Sequence, residues 1–113
     1  MTTKILFAAA VAAVAMLAPS PASAGQDAKR GQEVYAAQKC QGCHNIAGKG
    51  FKNNTLDGVG AKLSAADLKE WIVNPDAMQA KQTGPKPVMK MKSFKTLPAA
   101  DVDALVAYMG SLK

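Results

Sequence analysis

Histidine occurs once in these 113 residues and cysteine twice. A four-ligand zinc site made only of this chain's cysteines and histidine is therefore excluded. A disulfide-dense scaffold is excluded as well, because it needs several bridges. Any serine or cysteine triad would have to use the single histidine, His44. After residue 24 there is no sustained period-2 alternation, no internal repeat and no low-complexity tract, which argues against a fold built from sheets. Acidic residues are missing from the whole stretch 77–100. The net charge of +6 is a moderate basic excess and not a polybasic nucleic-acid signature. Only one long apolar run exists, and it lies at the N-terminus.

That run has the grammar of a secretory leader. Lys4 gives a positive start, Ile5 to Leu17 is continuously apolar, and Pro19 and Pro21 interrupt it. Ala22-Ser23-Ala24 then supplies the small residues of a cleavage site. Spanning a bilayer takes roughly 20 apolar residues, more than this run offers. Residues 1–24 are therefore expected to be a cleaved signal peptide, with Gly25–Lys113 as the mature domain outside the cytoplasm, in the periplasm. No later apolar run would anchor that domain in a membrane. A domain this small buries little core and often needs a metal, disulfides or a cofactor to hold it.

Cys40-Gln41-Gly42-Cys43-His44 is C-x-x-C-H, the attachment signature of c-type haem. Two thiols add across the two vinyl groups on one edge of the porphyrin, and the two-residue gap lets both reach that edge from one helical turn. His44 then falls under the ring, where a ring nitrogen can bind iron. Three other readings compete. A thioredoxin-like dithiol follows a strand in an α/β domain, and no strand-rich stretch precedes Cys40. Half of a zinc site lacks its second pair of ligands. A structural disulfide leaves His44 unexplained. Together with the leader and the short mature chain, the motif favours one covalent haem c.

The rest reads as a helical wrapper. Asp27 is placed to cap a helix running to Lys39. Residues 45–62 read as loop, rich in Gly, Asn and Lys. Ser64 caps a second helix with Leu68, Trp71 and Ile72 on one face, and Asn74-Pro75 ends it. Residues 76–97 read as irregular. Pro98 opens a last helix whose stripe is Val102, Leu105, Val106 and Met109.

This order of helix, C-x-x-C-H, loop, Leu-x-x-Trp-Ile helix, Met-bearing loop and terminal helix with Leu-x-x-Tyr resembles the small monohaem class I cytochromes c of bacteria, over essentially all of residues 27–112. The resemblance implies an all-α fold in which the first and last helices cross closely, with Gly31, Tyr35 and Tyr108 at the crossing. It also implies a methionine as second axial ligand, supplied by the loop before the last helix. Met91-Lys92-Ser93-Phe94-Lys95-Thr96-Leu97 matches the family pattern at Met91, Phe94 and Leu97, and departs at Lys92, where the family most often has proline. Met89 is the second candidate and Met78 the third. Asn54 stands where the family has a proline whose carbonyl accepts the ligand histidine's N–H. A backbone carbonyl remains there, with less preset geometry. Trp71 either reaches a haem propionate or serves as a core aromatic.

The expectation is therefore a non-enzymatic electron-transfer protein carrying one haem c, attached through Cys40 and Cys43, with His44 and Met91 on the iron. Its expected partners are redox proteins with an acidic docking face, met by Lys39, Lys81, Lys86, Lys90, Lys92 and Lys95. Two alternatives remain open: a haem subunit of a larger oxidoreductase, and a ligand-binding haem protein with an open sixth position.

Overall fold

The structure is a computed structural model and describes residues 21–84 and 90–113. Its helices are α1 (Pro21–Ala37), α2 (Val59–Lys62), α3 (Ala65–Val73), α4 (Pro75–Lys81) and α5 (Ala99–Ser111), with a single 3₁₀ turn at Cys40–Gly42 after α1. The only strands among the described residues form a two-residue antiparallel hairpin, β1 (Asn45–Ile46) with β2 (Lys49–Gly50). The expected all-α class holds. No described helix is long and apolar enough to cross a membrane. Apart from its last four residues, the expected leader lies outside the described residues.

The central packing is α1 against α5. Val34 and Tyr35 from α1 meet Val102, Leu105 and Met109 from α5, and α3 adds Leu68 and Ile72; all seven are buried in one cluster. Gly31 sets the approach. A Cβ there would collide with the Ala104 carbonyl and come within 2.6 Å of the Tyr108 Cβ. Tyr35 and Tyr108 then meet edge to face, ring centroids 5.8 Å apart at 74°, a favoured aromatic geometry. Burial pushes the Tyr35 hydroxyl up to about 12, so it stays neutral through the physiological range. Arg30 spans the crossing on the outside, 3.2 Å from Asp101. Such an exposed pair adds little to stability.

Several local expectations are corrected. Asp27 is not a cap: α1 begins at Pro21, so upstream carbonyls already serve the amides that Asp27 would have capped. The helix ends at Ala37, not Lys39, because Lys39 takes a left-handed conformation (φ 57°, ψ 36°) that turns the chain into the Cys40 turn. The stretch 45–62 is not all loop. It holds the hairpin, whose Ala47 and Gly48 both have positive φ, as a two-residue type I′ turn requires. That conformation disfavours a residue with a Cβ, and here the Ala47 N–H donates to Asp57 Oδ1 at 2.8 Å. Ser64 does cap α3, its Oγ accepting from the Asp67 N–H at 3.2 Å. Pro75 ends α3 as expected but also starts α4, since proline at a first helical position lacks only an N–H that would have no helical partner.

Candidate haem-binding site

The C-x-x-C-H turn is built by backbone. Lys39 reverses the chain, and Cys40 O then accepts from the N–H groups of both Cys43 and His44, at 3.1 and 3.0 Å. Cys40, Cys43 and His44 thus sit on one tight turn. The hairpin closes on it from the other side: Phe51 N–H donates to the Gln41 and His44 carbonyls at 3.2 and 3.1 Å. That closeness requires Gly50, where a Cβ would strike the His44 carbonyl and lie 3.0 Å from that of Gln41. Buried Asn45 locks the next layer. Its side-chain amide donates to the Phe51 carbonyl at 2.7 Å, and its backbone N–H donates to the Asn54 carbonyl at 2.9 Å.

The Met91 segment is fixed just as firmly, to α3. Phe94 N–H donates to the Ile72 carbonyl at 2.9 Å, and Ser93 Oγ donates to the Val73 carbonyl at 2.6 Å. Phe94 packs on the core cluster, and Lys92 Nζ lies 5.8 Å from its ring centroid. The chain is therefore anchored two and three residues beyond Met91.

Between the two segments opens a cleft of about 860 Å³, within the usual size range of cofactor pockets, roughly 300–1,000 Å³. Cys40, Cys43, His44, Phe51 and Asn54 line it from the attachment side, and Trp71, Gln79, Gln82, Met91 and Phe94 from the other elements. The structure brings together four expected residues, Cys40, Cys43, His44 and Met91, in one cavity. Trp71 faces the same cavity, half-buried, instead of the closed core formed by Leu68 and Ile72. Met78 is half-buried in α4 and does not line the cleft, while Met109 is core. Met89 and Lys86 lie outside the described residues. Lys39, Lys90 and Lys92 stand at the cleft, and Lys81 and Lys95 are exposed nearby in sequence.

The donor chemistry suits a covalent haem. The two thiols are free and not paired with each other. Burial pushes the Cys40 thiol up, the reverse of an activated dithiol of the thioredoxin kind. Burial pulls His44 below its ordinary value, against a smaller opposing influence of the Asn54 backbone and side chain. The imidazole is therefore neutral and able to bind a metal. Its Nδ1 is buried and has no hydrogen-bond partner among the described residues. Phe51, Trp71 and Phe94 provide aromatic walls. Phe51 is 51% exposed, the one large apolar side chain so placed among the described residues.

Sequence reasoning missed Ser93, Asn45, Gln79 and Gln82. Ser93 acts through a contact 20 residues away in the chain, which no local pattern announces. Asn45, adjoining His44, carried a signal only through its position.

A family model described as Cytochrome c matches residues 28–113. No curated protein and no solved structure matches the chain. The family match takes in the helix crossing and every residue of the cleft, and the chain therefore belongs to the cytochrome c family, whose members hold haem c covalently and transfer electrons.

Proposed function

We propose that the protein is a soluble periplasmic electron carrier, secreted by the leader at residues 1–24, with one haem c in the mature domain 25–113. Cys40 and Cys43 form the thioethers, and His44 and Met91 are the axial ligands. The observation that carries this reading is the convergence of both thiols, His44 and Met91 on one cleft. The haem, when bound, supplies a one-electron couple between ferric and ferrous iron.

The chain's own residues set the terms of that couple. Two protein ligands leave no position for a substrate, so the function is transfer and not turnover. A methionine favours the ferrous state and raises the potential relative to two imidazoles. The aromatic walls act in the same direction, since low dielectric disfavours the extra charge of the ferric state. The hydrogen bonds of Ser93 and Phe94 to α3 hold the Met91 segment in place without relying on the proline that Lys92 replaces.

Met91→Ala should abolish the weak long-wavelength band of methionine-bound ferric haem and lower the potential, while Met89→Ala keeps both. The reverse pattern would transfer the ligand role to Met89.

The lysines at the cleft suit a partner with an acidic face. Lys39, Lys90 and Lys92 line the cleft, no acid interrupts residues 77–100, and electrons leave where the haem edge is nearest the surface. Such a field raises encounter rates by about 10- to 10³-fold at low salt and contributes less to final affinity. At 0.1 M salt the screening length is about 10 Å, so steering must weaken as salt rises. Lys90→Gln, Lys92→Gln and Lys95→Gln together should slow electron transfer to the native partner and flatten its salt dependence. An unchanged rate and slope would place docking elsewhere.

A further inference from the structure

Asn45 is the one buried polar residue among those described, 6% exposed, and it follows His44 directly in the chain. Its side-chain amide donates to the Phe51 carbonyl at 2.7 Å and to the Lys52 carbonyl at 3.3 Å. Its backbone is engaged on both sides: the N–H donates to the Asn54 carbonyl at 2.9 Å, and the carbonyl accepts the Leu56 N–H at 2.8 Å. His44 is held in the same way. Its N–H donates to the Cys40 carbonyl at 3.0 Å, and its carbonyl accepts the Phe51 N–H at 3.1 Å. Phe51 is therefore pinned through both of its backbone polar groups, the N–H by Gln41 and His44 and the carbonyl by the Asn45 side chain. Within this knot only the Asn45 amide is a side chain; every other tie uses groups that all residues but proline carry. A buried amide shared between two carbonyls specifies one arrangement of the loop, because other arrangements leave polar groups unpaired away from water.

We propose that Asn45 is a positioning residue for His44: its amide clamps residues 51 and 52 onto the C-x-x-C-H turn and so fixes the direction from which the imidazole meets the iron. The proposal rests on the reading that His44 binds the iron. Groups behind a metal ligand set its orientation, most often through the ligand's own ring. Here the clamp acts one step earlier, on the backbone that carries the ring. The imidazole hangs from that frame through Cβ, so a frame free to shift takes the ring with it. In a site that must serve two oxidation states, a ligand already held in place leaves less to rearrange when an electron passes.

The test uses the haem-loaded protein. Asn45→Leu keeps the side-chain volume and removes the donor. In a low-spin ferric haem the spread of the haem-methyl proton shifts follows the plane of the axial imidazole, and the variant should redistribute those shifts. Exchange of the Phe51 amide proton should quicken by about tenfold, as the clamped loop opens more often. A purely structural Asn45 would lower Tm and leave the methyl shifts of the folded protein as they are in wild type. Unchanged methyl shifts in folded Asn45→Leu, at whatever stability, would therefore overturn the proposal. Should Asn45→Leu fail to fold, Asn45→Ala with wild-type methyl shifts overturns it equally. The wild-type ferrous spectrum separates the underlying reading: His44 ring protons without the strong upfield shift of an axial ligand would mean that His44 does not bind the iron.

Discussion

Circular dichroism of the Cys40→Ala, Cys43→Ala double variant is expected to show no cooperative thermal transition. Among the described residues, the buried apolar side chains Val34, Tyr35, Leu68, Ile72, Val102, Ala104, Leu105 and Met109 belong to α1, α3 and α5, and α4 adds only Pro75. The attachment turn, the hairpin, α4 and the Met91 segment contribute few fully buried side chains. Their apolar groups, with Trp71, form the walls of the cleft instead. Domains of 60 to 90 residues bury little more than about 60% of the surface that their unfolded chains expose and are marginal without a staple. In the native protein the cofactor would fill the cleft between the two halves, and covalent attachment would keep it there. Haem-free protein with a sharp transition would show that the crossing of α1, α3 and α5 is sufficient by itself.

Two glycine-to-alanine changes in the haem-loaded protein should shift stability in opposite directions. Alanine improves intrinsic helix propensity over glycine by about 1 kcal/mol, so propensity alone predicts a gain at both sites. At Gly31 the new Cβ would strike the Ala104 carbonyl and sit 2.6 Å from the Tyr108 Cβ. Both obstacles are close to or part of the α5 backbone, so the helices must separate and the Tyr35–Tyr108 contact must loosen. Overpacking of this kind costs about 1–3 kcal/mol and occasionally more, so Gly31→Ala should lose about 2 kcal/mol net and Gly31→Val more. At Gly110, on α5, a Cβ meets nothing within 4 Å, and Gly110→Ala should gain up to about 1 kcal/mol. For a domain of this size 1 kcal/mol moves Tm by about 4–8 °C, so both signs are readable by thermal denaturation. A Gly31→Ala protein as stable as Gly110→Ala would mean that the crossing is looser than described.

Residues that act through local chemistry were legible in the sequence. The Ser64 hydroxyl at a helix start, the stop at Asn74-Pro75, the stripe of Val102, Leu105 and Met109, and the C-x-x-C-H spacing each carry their meaning within a few positions. Gly31 was legible only through resemblance, because a glycine inside a helix does not name the helix it approaches. The hairpin was hidden because Ala47 adopts the left-handed conformation that its Cβ disfavours, held by Asp57 from ten residues away. The start of α4 was hidden because Pro75 reads as a stop, and only the direction of the following chain shows it to be a start as well. The tether of Ser93 and Phe94 to α3 joins segments about 20 residues apart, so the local sequence carries no mark of it.

The most direct test of the central claim is the absorption spectrum of the purified protein in its ferric state. Coordination by His44 and Met91 predicts a low-spin, six-coordinate haem with the weak long-wavelength band of methionine-bound iron, lost in Met91→Ala. A high-spin ferric spectrum, or a low-spin one without that band, would contradict the proposed ligand pair.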